Sequence, residues 1–248
     1  MEATATFAVD RHGAGQRTHW RDAPPVVLRP TGTDRLHLLH AAGGPLGGDR
    51  LRLAGTVGAA CALRVQSAGA TVVQPGPAGR PASWAVDLDV AASASLRWAP
   101  QATVVCAGAD FHGSLRATLA ADAFLLVREL LVLGRSGEAG GRYRGGLTVT
   151  VAGRPLLANE NLVDGADAAL SGPAGSGGHR VQGTVLLAGR GVAPQAERAG
   201  RTGAVSWAVL PLDGPGTLVL AVGALVTEVD AALDAVVGTM ADGAGLAG

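Results

Sequence analysis

Aromatic residues make up only 3% of this 248-residue chain, and cysteine occurs twice. The first scarcity argues against a surface built to stack bases or sugars, which relies on rings. The second excludes a zinc knuckle: Cys61 and Cys106 lie far apart without a Cys-x-x-Cys, each among small apolar residues, the setting of a buried, inert thiol. Neither sign of charge predominates, with 20 basic against 20 acidic side chains, so no global field would hold nucleic acid or an anionic membrane. No apolar run approaches the roughly 18 residues that cross a bilayer. The first twenty residues carry Glu2, Asp10, Arg11, Arg17 and His19 where a signal peptide would have an apolar core. The chain therefore reads as cytoplasmic, with no nucleic-acid or membrane partner. Catalytic signatures are missing as well: no Gly-x-Ser-x-Gly, no His-Glu-x-x-His and no Walker lysine motif.

What is present is apolar alternation on a hydrophobic content of 48%, enough for a real core in one domain spanning residues 1–248. Period two is cleanest in Trp84–Val90, Leu115–Leu119 and Leu147–Val151, and strand-like segments recur from 26–29 to 216–226 with Gly, Pro, Asp or Ser between most of them. Such spacing predicts an all-β, mainly β architecture of many short strands. A repeat sharpens it. Val57 to Val65 is echoed by Val90 to Trp98 and by Leu119 to Val127, and Ala70-Thr71-Val72-Val73 is echoed by Ala102-Thr103-Val104-Val105. A turn and strand recurring at about 30 residues is the mark of stacked β-layers, a β-solenoid or β-helix-like arrangement. One or two α-helices are expected, one of them near the C-terminus, where Thr227 can N-cap a helix with Val229, Leu233, Val236, Val237 and Met240 on one face. Residues 135–145 and 163–179 read as exposed loops, and the tail after Asp242 as loose.

The densest local signal is His40-Ala41-Ala42-Gly43-Gly44-Pro45-Leu46-Gly47-Gly48-Asp49, two glycine pairs closed by an acid that leads into a strand. Asp49 is either a turn cap or a ligand. Glu129, inside the apolar Arg128-Glu129-Leu130-Leu131, is either paired with a neighbouring arginine or faces a polar interior. His37 and His40 point to opposite faces of a strand, so they do not chelate.

Taken in order, the Gly-Gly-Pro-Leu-Gly-Gly-Asp run, Ala68-Gly69-Ala70-Thr71, Trp98-Ala99-Pro100-Gln101, Arg128 to Arg135 with Gly134 and Arg135 at its end, Gly137-Glu138, Arg154-Pro155-Leu156-Leu157 and Ser171 to Thr184, which holds Gly175, Gly178, His179 and Gly183, resemble the UreD (UreH) family of urease accessory proteins. The pattern departs from the family at Ala42, Val72 and Ala102, and Asn159 and Glu160 compete for a single carboxylate position. The resemblance implies a non-catalytic, β-rich scaffold. Such a scaffold would link UreF and the GTPase UreG to apo-urease and help nickel into the urease active site, with no tightly bound cofactor and only transient nickel. A conduit should hold its ion weakly, so dispersed donors are the transit candidates: Asp49, Glu129, Glu160, His40 and His179. The competing reading from a different class is a carboxylate-dependent β-solenoid hydrolase or lyase using Asp49 and Glu129.

Overall fold

The computed structural model describes residues 1–172 and 175–241; the expected loose tail after Asp242 lies outside the described residues. Along the chain run β1 (Glu2–His12), β2 (Gly15–Arg21), β3 (Val26–Gly32), β4 (Arg35–His40), β5 (Arg50–Val57), β6 (Ala62–Ser67), β7 (Thr71–Val73), β8 (Ala82–Val90), β9 (Ser95–Ala99), β10 (Thr103–Val105), β11 (Asp110–Leu119) and β12 (Phe124–Leu133). They are followed by β13 (Arg142–Val151), β14 (Arg154–Asp164), β15 (Val181–Gly189), β16 (Arg198–Thr202), β17 (Val205–Pro211), β18 (Gly216–Gly223) and the helix α1 (Val226–Ala241).

These strands form two sheets. One is seven-stranded in the order β14-β13-β11-β8-β5-β1-β2; the other has the order β16-β17-β18-β15-β12-β9-β6-β4-β3, with β10 and β7 attached beside β12. The middle of each sheet is parallel because the chain coils. It runs along one sheet, crosses through a four-residue turn, returns on the other and starts again one strand over, so β5, β8 and β11 stack in one wall and β6, β9 and β12 in the other. The sequence repeat is this stacking: Val57 lies beside Val90 and Val90 beside Leu119, while Leu63 lies beside Leu96 and Leu96 beside Leu125. Thr71 pairs with Thr103 in the same register as the echoed segments. The connecting turns stack too, Ala60 N–H donating to Ala92 O at 2.9 Å and Ser93 Oγ to Asp122 Oδ2 at 2.6 Å.

Facing walls bury Leu53, Leu63, Leu88, Leu96, Leu115, Leu119 and Leu125, with Trp98, in one core between the sheets. Each such side chain contributes about 1.5–3 kcal/mol on transfer from water. The outer face of the larger sheet is covered by α1, whose Val229, Leu233, Val236 and Met240 are buried against β15, β17 and β18. Gly183 permits that approach, since a methyl group there would stand 2.6 Å from Leu233 Cδ1.

Three expectations change. β1 and β2 were not anticipated: Ala3, Ala5, Phe7 and Val9 alternate inward, but small residues give a faint apolar signal, and β2 is a largely exposed edge with no alternating face. The loop expected over 135–145 becomes β13 from Arg142, because Gly145 and Gly146 interrupt the pattern in the middle of the strand. Helix α1 begins at Val226 and its first turn holds Thr227, so Leu225 rather than Thr227 stands at the boundary. Cys61 and Cys106 are buried, and burial pushes both thiols above the ordinary cysteine range.

Candidate functional site

On β11 and β13 the alternate residues that face the other sheet are Phe111, Gly113 and Leu115, and Tyr143, Gly145 and Leu147. Gly113 and Gly145 are direct neighbours across the ladder. Two adjacent inward positions therefore carry no side chain, and the sheets, held apart by the leucines beyond, enclose a cavity there. Its space for water centres is about 80 Å³, room for several waters.

The lining is polar where the rest of the core is aliphatic. Gln101, Thr103, Glu129, Gln182 and Thr184 contribute from the larger sheet and its connections, and Ser114, Tyr143, Asn159 and Asn161 from the smaller. Asn161 Nδ2 donates to Gln182 Oε1 at 2.8 Å, a bond from the edge strand β14 of the smaller sheet to the interior strand β15 of the larger. Trp84, Trp98 and Phe111 close the space with rings, Phe111 being stacked on Tyr143 at 5.9 Å between centroids.

Glu129 is the one carboxylate in the lining, which holds no Arg or His among the described residues. It continues the inward stripe of Leu125, Val127 and Leu131 on β12. Arg128, its neighbour in sequence, faces the opposite side and is engaged by α1: its guanidinium donates to Asp234 Oδ1 at 2.6 Å and to Asp230 O at 2.7 Å. Glu129 is thus separated from its obvious counter-ion by the alternation of the strand. Desolvation alone pushes its pKa up to about 7. The residue is half-buried and lines the cavity. Tyr143 is raised above its ordinary value first by burial and then by the charge of Glu129.

The other candidates lie apart from this cavity. His40 faces inward at the end of β4, edge-on to Trp84 at 5.7 Å, with Nδ1 buried and unpartnered; burial lowers its pKa. Asp49 accepts from Leu46 N–H at 2.9 Å and from the Met1 amine at 2.7 Å. Burial opposes its charge, but these bonds outweigh it and leave its pKa lowered. Glu160 points away from the cavity, beside His112, Arg116 and Arg144 on the outer face of the smaller sheet, while Asn159 takes the inward position. His179 lies in a surface depression with Glu138 and Arg180.

The glycine motifs shape backbone. Gly47 packs main chain to main chain with Gly76, and a methyl group on Gly47 would lie 2.5 Å from Gly76 N. This seats the loop of Gly43, Gly44, Gly47 and Gly48 against residues 74–81, where Gly47 N–H donates to Gln74 O at 3.1 Å. Gly134 begins a tight turn in which Arg135 Nε donates to Glu138 Oε1 at 2.9 Å, and Arg180 donates to the carbonyls of Gly134 and Arg135. Gly175 and Gly178 belong to the loop before β15. Pro100 and Gln101 line the cavity, and Gln101 N–H donates to Ser67 Oγ at 2.8 Å, joining the Trp-Ala-Pro-Gln motif to the segment before Ala68.

Of the candidates, the cavity brings together Glu129, Pro100 and Gln101. Sequence reasoning did not single out Tyr143, Asn161, Gln182, Thr184 or the glycine pair. The available signal was the break in apolar alternation, glycine at 113 and 145 and polar side chains at 159, 161, 182 and 184 on otherwise apolar faces.

Comparison with known proteins agrees along nearly the whole length. Residues 2–246 match the profile of the family described as UreD urease accessory protein. Among curated relatives, the urease accessory protein UreD of Parafrankia sp. (strain EAN1pec) is 36% identical over 98% of this chain and 91% of its own length. That of Streptomyces avermitilis is 40% identical over 79% of this chain and 80% of its own. The protein of the same name from Frankia alni is 37% identical over 89% and 87%.

Proposed function

The chain belongs to the UreD family of urease accessory proteins, and from that premise we propose that it is the scaffold through which nickel reaches apo-urease, linking the accessory proteins UreF and UreG to the recipient enzyme. Participation in urease maturation follows from the family. The partners and the cargo are our reading, and one observation carries it: a polar cavity in the middle of a β-sandwich, with a single carboxylate and no competing cation among the described residues of its lining. Nickel is cargo here, not a resident cofactor. Among the described residues no group of three or more His, Cys, Asp or Glu is gathered to hold a metal, which suits weak and sequential contact better than storage.

The residues of the cavity have separable roles in this reading. Amide and hydroxyl oxygens of Gln101, Thr103, Asn159, Asn161 and Thr184 can replace part of a hydration shell without binding tightly. Glu129 supplies the one negative charge once it is ionised. The apolar rings around them keep the space narrow. A hydrolase or lyase built on Asp49 and Glu129 would need the two carboxylates at one site, whereas Asp49 is occupied at the glycine turn and is absent from the cavity lining.

The test is to express apo-urease with its other accessory proteins, with and without this chain, and to measure urease activity and enzyme-bound nickel. Loss of both on omission is expected. Unchanged activity and nickel content would remove the chain from the maturation path.

A further inference from the structure

Helix α1 packs on the larger sheet, and the outer face of the smaller one carries two unlike columns side by side. On β13 the outward residues are Arg142, Arg144, Gly146 and Thr148, and their lateral neighbours on β14 are Asp164, Leu162, Glu160 and Ala158. The first column is basic. The second is acidic around Leu162, which is 62% exposed. Gly146 leaves a hole in the basic column: with its neighbour Ser114 of β11 it floors a depression of about 400 Å³, bordered by His112, Arg116, Arg144, Thr148 and, from the acidic column, Glu160.

Most charges on this face are answered within the chain. Arg142 pairs with Asp164 at 3.2 Å, His112 with Asp110 at 3.3 Å, and Asp87, the lateral neighbour of Arg116, with Arg52 at 2.8 Å. Among the described residues Arg116, Arg144 and Glu160 form no ion pair, although all three border the one depression. Exposed arginines alone need no partner. Their arrangement beside Glu160 suits one, because a two-fold axis parallel to the strands, above the boundary between β13 and β14, lays β14 of a second copy over β13 of the first at the spacing of stacked sheets, about 10 Å. Each β14 residue then falls over the β13 residue that is its neighbour within its own chain. Glu160 of the second copy comes down on Gly146, into the depression that Arg116 and Arg144 border. Leu162 lies along the aliphatic stem of Arg144, Ala158 meets Thr148, and Asp164 meets Arg142. No acid is set over an acid and no base over a base. The operation is its own reverse, so every contact is made twice, as an isologous interface requires.

We propose that the outer face of β13 and β14 is a self-association surface through which two copies of this chain form a two-fold dimer, Glu160 of each seated in the depression of the other. The proposal does not rest on the nickel reading, since this face is opposite the one that encloses the cavity.

The experiment is sedimentation equilibrium of the full chain from about 1 to about 100 μM at about 100 mM salt. A monomer–dimer equilibrium is expected. Leu162→Asp, Glu160→Arg and Arg144→Glu, all at exposed positions where the fold has little at stake, should each weaken it at least about tenfold. A further arm mixes two of these variants: Glu160→Arg and Arg144→Glu, each impaired alone, should associate with one another at least about tenfold more tightly than either does with itself, since each supplies the charge that the other needs. A chain that stays monomeric throughout the range overturns the proposal. So does a dimer that any of the three substitutions leaves unchanged, or a mixture that associates no better than its components.

Discussion

Gly55 and Gly145 both face inward from strands of the same sheet, Gly55 level with Val149 and Gly145 level with Leu51, and what surrounds each of them divides the molecule. A methyl group at Gly55 would lie 2.0 Å from the Phe7 ring, which comes from the neighbouring β1 and fills the space. A methyl group at Gly145 would lie 2.1 Å from the Tyr143 hydroxyl, which comes from the same strand and stands farther, 3.4 Å, from a methyl group at the neighbouring Gly113. In the first half a missing side chain is replaced by an apolar ring, and the core is dry. In the second it is replaced by a ring that carries a hydroxyl, and Glu129, Asn159, Asn161, Gln182 and Thr184 line the cavity beside it. The same device, a glycine on the inner face, yields a sealed core or a polar cavity according to which residue leans over it.

The largest expected effect breaks the dry half. Phe7→Ala removes a ring that is 3% exposed and leaves a void over Gly55, so it should cost about 3–5 kcal/mol, read by urea denaturation. Much smaller losses would mean that β1 is not integral to the sandwich.

Next comes the pH dependence that Glu129 adds in the wet half. Glu129 titrates near its ordinary value when unfolded and at about 7 when folded, so the folded chain holds this proton more tightly. Its contribution is full below about pH 4.5 and is lost as the pH rises through about 7; the shift corresponds to up to about 3 kcal/mol. Glu129→Gln should remove that slope, so that wild type loses stability relative to the variant between about pH 4.5 and pH 8. Parallel profiles for the two proteins would refute the buried, unpaired state of this carboxyl.

The glycines themselves sharpen the contrast. Gly55→Ala must displace Phe7 and should cost about 1–3 kcal/mol. Gly113→Ala places its methyl in ordinary contact, 3.4 Å from the Tyr143 hydroxyl and 3.6 Å from Phe111 Cε1, and should cost under about 1 kcal/mol, since no neighbour has to move. Equal costs would show that the cavity is packed after all. The smallest effect is expected at the rim, where loss of the Asn161 to Gln182 bond in a double-mutant cycle with alanine should yield a coupling of about 1 kcal/mol.

The wet half was also the harder to foresee. The stacked coils were legible because Val57, Val90 and Leu119, and Leu63, Leu96 and Leu125, recur at spacings that become lateral neighbours. Glu129 stood out because it interrupts an apolar run, yet its isolation from Arg128 depends on which face of β12 meets α1, a tertiary fact. The partners of Glu129 in the cavity come from β11, β13, β14 and β15, brought together by ladder register and by the bulge between Val149 and Thr150, neither of which a single strand announces. Glycine motifs were conspicuous in the sequence because backbone shape leaves a strong mark, as where Gly47 meets Gly76; polar residues spaced two apart on separate strands leave a weak one.

We propose that the polar cavity serves nickel delivery while the fold rests on the rest of the sandwich. The most direct test is enzyme-bound nickel in urease matured with Glu129→Leu, assembly of the accessory complex being followed in parallel. The account predicts a soluble variant at least as stable as wild type above about pH 7, an intact complex and a clear fall in nickel per urease. Full nickel loading by that variant would contradict it.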